Sequence, residues 1–379
     1  MTSFEGAPVP NTDESPIMKG GEADKAADFA NYFCDYGYLY HQKQILMDHV
    51  LMHSYHSAIM RNKHLFEGKV VLDVGTGSGA LSIWCAQAGA AKVFACEYTD
   101  MAKHARALVE KNGLSHIIEV MQCSVEELDL PCKVDIIISE WMGYFLLRDS
   151  MLDSVIRARN KWLKDGGSMF PSYATMYWSA VTYEDDREVK TREYNDSLNE
   201  WEKFSDEMKE YYKIDMTGLT TTYKKEQEDY FLYSSLWTEL NSSHVVGQPV
   251  VIKRMDLNKC SVADAENIMK APFDITIPFP ITMSGFAGWF TVDFAGSVEN
   301  PCEHRVNLST GPEVGYTHWG QQVFYLPKAI HCQPDTKITG EMSMVRQEKN
   351  KRLYNVELEF QVDDGAGEDD KFKGKYEIP

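Results

Sequence analysis

Between residues 69 and 139 the chain alternates short apolar runs with helical patterns, and this alternation strongly limits its fold. The apolar runs suit strands that are covered on both faces, and they are Val70–Val74, Lys92–Cys96, Ile117–Val120 and Val134–Ile138. Helical patterns lie between them at 81–88 and 101–111. Strands that alternate with helices through right-handed crossovers form a parallel sheet, so we predict a doubly wound α/β domain here.

The first predicted strand ends in a glycine-rich loop, 73–79, that opens the first helix. Glycine lets backbone amides approach a ligand closely and permits turns that other residues avoid. A plain tight turn also uses glycine, but the spacing Gly-x-Gly-x-Gly differs from that of a dinucleotide site. Glu97 ends the second strand, where a carboxylate can accept both ribose hydroxyls of an adenosine. With the loop in place, we favour ribose binding over a solvated charge at Glu97.

Acidic residues also follow the third and fourth strands. Val125 and Glu126 either contact an adenine edge or begin a surface helix, and the sequence does not separate these alternatives. Glu140 and Asp149 bracket an aromatic loop at the sheet edge where α/β folds bind ligands. Paired carboxylates suit acid–base catalysis, a metal or a guanidinium, and no nearby histidine suggests a metal. On spacing alone, a helix cap at Glu140 and an ion pair between Asp149 and Arg148 are the better prediction.

Beyond Pro171 the pattern changes to β structure. Residues 354–362 alternate apolar and polar side chains, which indicates a half-buried strand, and 275–294 is rich in aromatic and β-branched residues. A charged helical insertion at 184–213 carries an apolar stripe of Trp201, Phe204 and Met208. We therefore predict a flexible tail at 1–26, a first domain at 27–171 and a second domain at 172–379.

Composition excludes several classes of protein. The net charge of −19 argues against non-specific binding to nucleic acid or to anionic membranes, which requires clustered positive charge. No apolar run approaches the ~18 residues of a membrane span. The eight cysteines contain no CxxC pair, so we expect neither a disulfide framework nor a zinc cluster. We expect a reduced intracellular protein in the cytosol or the nucleus.

Four segments resemble a known family: Tyr32-Phe33-x-x-Tyr36, residues 71–79, Ser139-Glu140-Trp141-Met142-Gly143-Tyr144 and Thr317-His318-Trp319. From about Phe29 to its C-terminus the chain resembles the protein arginine N-methyltransferases, and most closely the plant-type class numbered ten. The resemblance implies an α/β Rossmann-like domain that binds S-adenosylmethionine. It also implies an antiparallel β-barrel domain, with the insertion at 184–213 as a helical dimerisation arm in a head-to-tail homodimer.

The resemblance also assigns residues. The implied cofactor-binding residues are Phe33, Tyr36, Asp73, Gly75, Gly77, Gly79, Glu97, Val125 and Glu126. Glu140 and Asp149 would clamp the substrate guanidinium, and His318, supported by Asp48, would line the same pocket. The remaining implied pocket residues are Met142, Tyr144, Met151 and Trp319, and no metal is implied. Because a guanidinium pKa exceeds ~12, the proton must leave during or after transfer, through Glu140 or through His318 and Asp48.

Three positions depart from the family pattern. Leu51 replaces an arginine that grips the cofactor carboxylate, a loss of ~1.5–3 kcal/mol unless another base such as Lys43 substitutes. Asp149 replaces a glutamate, and a misplacement of roughly 1 Å can cost ~100-fold in rate. Ile45 replaces a methionine. His318 favours asymmetric dimethylation, so we expect an enzyme that forms monomethyl and asymmetric dimethylarginine in basic proteins such as histones or Gly-Arg-rich proteins.

Three alternatives to an active arginine methyltransferase are considered at this point. Leu51 and Asp149 motivate a catalytically weak paralogue that acts as a scaffold or activating partner of an active enzyme. A small-molecule methyltransferase is disfavoured, because the Thr317-His318-Trp319 segment and the helical insertion resemble the arginine enzymes. A nucleic-acid-modifying enzyme is weaker still, since the chain has no basic stripe.

Overall fold

The computed structural model describes residues 36–364 and 370–378, so the predicted tail at 1–26 lies outside the described residues. From residue 36 onward, where the description begins, three helices precede the first sheet: α1 Leu39–Leu46, α2 His49–Met60 and α3 Lys63–Phe66. The apolar periodicity from Ile45 to Ile59 predicts one helix, and this prediction is wrong. The helix breaks at Asp48, whose side chain caps α2 by accepting a hydrogen bond of 3.0 Å from the amide of Leu51.

A five-stranded parallel sheet follows, in the order β3-β2-β1-β4-β5. Its strands are β1 Val70–Val74, β2 Lys92–Glu97, β3 Ile118–Gln122, β4 Val134–Ile138 and β5 Leu163–Phe170. The associated helices are α4 Ala80–Gln87, α5 Met101–Lys111 and α6 Leu152–Trp162. The four predicted strands and the doubly wound α/β arrangement are confirmed. Sequence analysis missed β5, because Gly166 and Gly167 interrupt its apolar pattern.

The parallel sheet is buried and brings four segments to one edge. Val71, Leu72 and Val74 of β1 are fully buried, as expected for a strand covered on both faces. The carboxyl ends of β1, β2, β3 and β4 meet at the same edge of the sheet. The glycine loop, Glu97 and Glu140 are therefore neighbours, although 65 or so residues of chain separate the first from the last.

The second half of the chain forms two antiparallel sheets. Their strands are β6 Tyr173–Val181, β7 Leu236–Thr238, β8 Val245–Asp256, β9 Asn267–Thr276, β10 Ile281–Gly296, β11 Pro301–Ser309, β12 Gln321–Cys332, β13 Lys337–Arg346, β14 Tyr354–Asp363 and β15 Asp370–Ile378. One sheet has the order β7-β12-β10-β6-β8, with β11 also paired to β10, and the other is β15-β14-β13-β9. The alternation predicted for 354–362 is confirmed in β14, where alternate residues are buried.

The two antiparallel sheets share an aromatic core, which is the barrel-like arrangement expected from the sequence. Trp178 of β6 stacks on Phe286 of β10, with ring centroids 5.2 Å apart. Phe286 also meets Phe273 of β9 at 5.4 Å and Phe360 of β14 at 5.1 Å. Side chains of both sheets therefore pack on the same rings, and the burial of large aromatic surface stabilises the closed arrangement.

A helical insertion separates β6 from β7. It contains α7 Glu184–Tyr212, a short 3₁₀ turn and α8 Thr220–Phe231, so the helical segment continues beyond residue 213. Trp201 stacks on Tyr223 of α8 with centroids 4.3 Å apart, and its ring nitrogen donates to Thr220 Oγ1 at 3.0 Å. The stripe residue Trp201 thus packs against the second helix of the insertion rather than on the sheets. A further short helix, α9 Val262–Glu266, precedes β9.

Ion pairs and hydrogen bonds join the two halves beside the sheet edge. The Arg346 guanidinium of β13 holds both carboxylate oxygens of Asp153, in α6, at 2.6 and 2.9 Å. Arg159, also in α6, donates to the carbonyl oxygens of Leu257 and Cys260 at 2.8 and 2.6 Å. The second half is therefore fixed against the helix that follows the Glu140 loop. None of the described helices is long and apolar enough to cross a membrane.

Candidate active site

A cavity of about 550 Å³ lies at the carboxyl edge of the parallel sheet. This volume is within the range of roughly 300–1,000 Å³ that is usual for small-molecule sites. Ten of the predicted site residues line it: Tyr36, Gly75, Gly77, Glu97, Val125, Glu126, Glu140, Met142, Asp149 and Met151. Phe33 lies outside the described residues. The remaining predicted residues do not line this cavity: Asp48, Asp73, Gly79, Tyr144, His318 and Trp319.

The glycine loop needs glycine at two of the positions on the cavity wall. Gly75 and Gly77 have φ of 72° and 55°, a left-handed conformation that side chains disfavour. A Cβ atom would lie 2.3 Å from Met151 Cε at Gly75 and 2.8 Å from Gln42 Oε1 at Gly77. The loop is therefore packed closely between α1 and the chain that follows the Glu140 loop. Sequence analysis missed Gln42, which also lines the cavity.

Asp73 supports the loop from behind, which differs from the predicted cofactor contact. Its Oδ2 atom accepts hydrogen bonds from Thr76 Oγ1 at 2.6 Å and from Ser82 Oγ at 2.7 Å. Burial raises the pKa of Asp73 to about 6, although these two hydroxyl groups oppose the rise. Gly79 is also behind the wall, because it begins α4 and its Cα faces Ala105 of α5.

Glu97 ends β2 on the cavity wall and is almost fully buried. One carboxylate oxygen accepts hydrogen bonds from the amide and hydroxyl of Thr99, at 2.8 and 2.7 Å. The other accepts one from the Gly77 amide at 3.0 Å. The carboxylate is thus fixed in direction beside the glycine loop. Each oxygen has more than one acceptor site, so a fixed carboxylate can still accept a ligand hydroxyl.

Val125 and Glu126 lie on a turn at the cavity rim, so they do not begin a helix. Glu126 accepts a hydrogen bond of 2.9 Å from the hydroxyl of Ser154 in α6. Ser124 and Glu127 bond each other across the turn, with Ser124 Oγ donating to Glu127 Oε2 at 2.9 Å. The turn is therefore held in place from within and from α6.

Glu140 is the partly buried acid at the end of β4. Its Oε1 atom accepts a hydrogen bond of 3.2 Å from the amide of Met142. Burial is the main cause that raises the pKa of Glu140 to about 7. The Met142 amide and the charge of His318 oppose this rise, whereas the charges of Asp149 and Asp48 add to it. An acid with a pKa near neutrality in a cavity is a candidate for binding a cation or for moving a proton.

Asp149, the second acid, pairs with its neighbour in the chain. Arg148 Nη1 donates to Asp149 Oδ1 at 2.7 Å, which is the ion pair that spacing alone favoured. Asp149 also has φ of 77°, a left-handed conformation that aspartate tolerates better than most residues. This backbone is a physical reason for the shorter acid at this position. Asp149 still lines the cavity, on the same wall as Glu140.

Arg352 is a cavity residue that sequence analysis missed. It lies between β13 and β14, about 200 residues after Asp149. Arg352 Nη1 donates to the Asp149 carbonyl oxygen at 2.7 Å, and the Asp149 amide donates to the Arg352 carbonyl oxygen at 2.9 Å. The second half of the chain thereby fixes the backbone of the second acid. In the sequence, Arg352 is one of several charges in a turn, so nothing there indicated a site.

His318 and Asp48 form a pair behind Glu140. Asp48 Oδ2 accepts from the backbone amide of His318 at 2.9 Å and lies 2.8 Å from its ring Nδ1. Asp48 is fully buried, and burial taken by itself acts to raise the pKa of Asp48. Hydrogen bonds from His318 and from the Leu51 amide outweigh burial and hold the pKa of Asp48 below its usual value. The pair lies off the cavity wall, but its charges act on Glu140.

Trp319 packs on the loop that carries the two acids, and Tyr144 is a residue of that loop. The ring nitrogen of Trp319 donates to the Met142 carbonyl oxygen at 2.7 Å, and Trp319 is buried against Phe290. Tyr144 is partly exposed, and the Arg148 guanidinium lies over its ring at 5.6 Å from the centroid. Tyr144 is therefore part of the acidic loop and Trp319 packs on it, and neither residue lines the cavity.

Two of the three departures from the family pattern face the cavity as apolar side chains. Leu51 is buried on the cavity wall, and Ile45 lines the same cavity from α1. Lys43 is exposed and lies outside the cavity. The structure therefore does not support the suggestion that Lys43 takes the place of the missing arginine. Among the described residues that line the cavity, Arg352 is the one lysine or arginine.

The fold and the cavity define a class of protein. The glycine loop lets the backbone approach S-adenosylmethionine closely. The fixed Glu97 carboxylate at the end of β2 suits the ribose of this cofactor, and the turn after β3 suits its adenine. Residues 71–167 match the family described as a methyltransferase domain. The chain is therefore an S-adenosylmethionine-dependent methyltransferase.

Sequence relatives narrow this class. Residues 173–365 match the family described as the arginine methyltransferase oligomerization subdomain. The chain is 46% identical to protein arginine N-methyltransferase PRMT10 of Arabidopsis thaliana, over 94% of this chain and 93% of that protein. It is 48% identical to PRMT10 of Oryza sativa subsp. japonica, with 92% of each chain covered. The chain belongs to the protein arginine N-methyltransferase family.

Solved structures agree with this assignment. The crystal structure of Arabidopsis thaliana protein arginine methyltransferase 10, described as a uniquely open conformation, superposes with a TM-score of 0.89. It is 45% identical, and the match covers 92% of this chain and 100% of that one. A Trypanosoma brucei PRMT1 enzyme–prozyme heterotetrameric complex with AdoHcy gives a TM-score of 0.75 at 29% identity, over 91% of this chain and 100% of that one.

Proposed function

We propose that the protein forms monomethyl and asymmetric dimethylarginine in basic proteins such as histones or Gly-Arg-rich proteins. The observation that carries this proposal is Glu140, a partly buried acid at the cavity end, within electrostatic reach of Asp149, Asp48 and His318. A guanidinium is a permanent cation with five N–H donors, and it matches a carboxylate in charge and shape. The net charge of −19 also attracts basic substrates.

Glu140 binds and orients the substrate nitrogen in this proposal. S-adenosylmethionine supplies an electrophilic methyl group on its sulfonium when it is bound. Transfer needs a nucleophile held in line with that methyl group, so the protein acts mainly by positioning and electrostatics. The Glu140 carboxylate accepts a hydrogen bond from a guanidinium N–H group and thereby turns one terminal nitrogen toward the cavity. The arriving cation stabilises the ionised form of Glu140 in turn.

Two groups are available for the proton that the guanidinium must lose. Glu140, with a pKa near 7, can accept a proton at physiological pH once the methyl group is transferred. His318 is the other acceptor, since Asp48 fixes the orientation of its ring through Nδ1. Asp149 completes the clamp when the substrate guanidinium competes with Arg148 for its carboxylate.

The cofactor contacts follow from the wall of the cavity. Glu97 accepts the ribose hydroxyls, because its carboxylate is already fixed beside the glycine loop. The turn at 125–127 borders the adenine, and Gly75 and Gly77 allow close approach of the backbone. Tyr36 closes over the cofactor from the N-terminal side, and Met151 packs beside the reacting groups.

The helical insertion is proposed to join two subunits head to tail. Large apolar side chains of the insertion are exposed in the single chain: Phe204, Tyr211, Tyr212, Ile214 and Leu219. Such a concentration of exposed apolar surface is typical of a contact surface between subunits. Trp201 contributes indirectly, because its stacking on Tyr223 holds the two helices of the insertion together.

A second candidate function rests on the cavity itself. Leu51 offers no charge to a cofactor carboxylate, and Asp149 is engaged by Arg148. These two features favour a weak enzyme that serves as scaffold or activating partner of an active arginine methyltransferase. The Trypanosoma brucei relative was solved as an enzyme–prozyme complex, so a pairing of unequal subunits has a structural parallel.

Product analysis separates the two candidates. The full chain is incubated with S-adenosylmethionine and either histone H4 or a Gly-Arg-rich peptide, and the methylarginines are resolved by chromatography and mass spectrometry. Monomethyl and asymmetric dimethylarginine support the proposal, whereas symmetric product refutes the asymmetric assignment. Absence of product from a folded protein that binds the cofactor favours the partner role. Addition of the chain to an active relative, with a measurable gain in rate, then tests that role.

A further inference from the structure

Two cysteines that are 27 residues apart meet on the wall of the cavity. Cys96 lies in β2 immediately before Glu97, and Cys123 follows the neighbouring strand β3. Their sulfur atoms are 3.9 Å apart, and Cys96 Sγ donates to the Cys123 carbonyl oxygen at 3.4 Å. Both residues line the cavity. The roles proposed above for cofactor and substrate use neither thiol.

We propose that Cys96 and Cys123 are an oxidisable thiol pair that reacts with small peroxides, and that the resulting disulfide distorts the cofactor site. The inference rests on the proposed function only in taking this cavity as the cofactor site. A small oxidant such as hydrogen peroxide can enter a cavity of about 550 Å³. A bound cofactor shields the pair, because both residues line the cavity that it fills.

Oxidation proceeds in two balanced steps. Cys123 is the partly exposed member, whereas burial raises the pKa of the Cys96 thiol, so Cys123 reacts first as its thiolate. Its sulfur attacks one peroxide oxygen, the O–O bond breaks and hydroxide departs. Cys123 then carries a sulfenic acid. The Cys96 sulfur then attacks the Cys123 sulfur, the S–O bond breaks, and the departing hydroxide takes up the Cys96 proton. The first hydroxide takes up the proton that Cys123 released on ionisation, so two thiols become one disulfide and one hydrogen peroxide becomes two molecules of water.

The disulfide changes the shape of the cofactor site. A disulfide needs an S–S distance of ~2.05 Å, so the two sulfur atoms must approach each other by nearly 2 Å. The Cys123 amide donates to the Glu97 carbonyl oxygen at 3.1 Å, and the turn at 125–127 follows directly. Movement of Cys123 therefore displaces both the proposed ribose acceptor and the proposed adenine border. Loss of the ribose hydrogen bonds to the Glu97 carboxylate weakens cofactor binding by roughly tenfold or more.

The experiment uses the full chain treated with hydrogen peroxide, with and without saturating S-adenosylmethionine. Non-reducing peptide mass spectrometry reports the linkage, and titration calorimetry of the treated protein, freed of cofactor, reports affinity. We expect a Cys96–Cys123 linkage and a loss of roughly tenfold or more in cofactor affinity, both reversed by dithiothreitol and both prevented by the cofactor. The linkage measurement on the unaltered chain needs no variant, so it is independent of folding defects.

Variants then assign the effect to the pair. For each protein, the affinity after peroxide is divided by its own affinity before treatment. Cys123→Ser should keep this ratio near one, whereas Cys132→Ser, which removes an exposed cysteine off the cavity wall, should behave as the unaltered chain does. An equal loss in Cys123→Ser, or a loss without linked peptides, overturns the proposal. Linkage with unchanged affinity also overturns it. The methylation activity of untreated protein tests the proposed function separately.

Discussion

The pH dependence of methyl transfer follows from the environment of Glu140. Burial raises its pKa to about 7, so the acid is protonated below that pH and ionised above it. Only the carboxylate binds a guanidinium through charge, so kcat/KM must rise with pH and level off above 7. Below the pKa, kcat/KM should fall about tenfold for each pH unit, since it reports ionisation in the free enzyme.

Two substitutions should move this profile in opposite directions. The charge of His318 lowers the pKa of Glu140, so His318→Gln should shift the acidic limb to higher pH. The charge of Asp149 raises that pKa, so Asp149→Asn should shift the limb to lower pH. Neighbouring charges that interact by on the order of 1 kcal/mol move a pKa by a few tenths of a unit to about one unit.

The assay measures initial rates with a Gly-Arg-rich peptide far below its KM, from about pH 5.5 to about pH 8.5. Both variants are expected to be slower, and the position of the limb rather than its height carries the test. A profile that stays flat down to about pH 5.5 would place the limb nearer the ordinary glutamate pKa of about 4.3 and would refute the argument from burial. Shifts of the same sign in the two variants would refute the electrostatic argument.

Four further predictions concern single positions. Leu51→Arg should tighten cofactor binding ~10- to 100-fold in calorimetry, whereas Leu51→Gln, of similar size without charge, should not; equal affinities contradict the argument. Asp149→Glu should raise kcat by up to ~100-fold, a gain that the strain of glutamate at φ of 77° reduces, and a loss as large as that in Asp149→Asn contradicts this. Arg352→Ala should lower kcat at least ~10-fold with little change in cofactor affinity, because it removes the bond of 2.7 Å that fixes the Asp149 backbone. Arg352→Lys should restore part of that loss, and equal effects on kcat and cofactor affinity would indicate general damage. Phe204→Glu should weaken self-association ~10-fold or more in sedimentation, whereas Glu202→Ala on the same helix should not; dimers of equal affinity exclude this surface.

The parallel sheet could be predicted because its physics is local. Val70–Val74 and the three other predicted strands are continuous apolar runs, and such runs are explained by burial on both faces of a sheet. The edge that holds the cavity followed from the same pattern, since parallel strands end together. The strand β5 was not predicted, because glycines interrupt its apolar pattern. Its strand structure depends instead on backbone pairing with β4.

The parts of the site that could not be predicted depend on contacts between distant segments. Asp48 ends the helix predicted from Ile45 to Ile59 because it caps α2 and is also held by His318, which lies 270 residues away in the sequence. Arg352 reaches Asp149 across about 200 residues through a turn that looked solvated. The roles of His318 and Asp48 came from a family resemblance, since no spacing rule joins residues 270 positions apart.

The loop that carries Glu140 and Asp149 depends on both halves of the chain for its geometry. The loop that carries Glu140 and Asp149 belongs to the parallel sheet, but Trp319 and Arg352 of the second half bond its backbone. Movement of either half therefore changes the geometry of the two acids. Positioning of this kind matters for a reaction in which the protein contributes mainly alignment.

Turnover of Glu140→Gln measures the central claim most directly. Glutamine keeps the size of the side chain and its hydrogen-bonding oxygen but removes the charge that holds the guanidinium. The measurement compares methyl transfer from S-adenosylmethionine to a Gly-Arg-rich peptide by the unaltered chain and by the variant, with cofactor affinity checked in both. The account predicts methylarginine from the unaltered chain and a loss of ~100-fold or more in the variant at similar cofactor affinity. Turnover of Glu140→Gln close to that of the unaltered chain would contradict it.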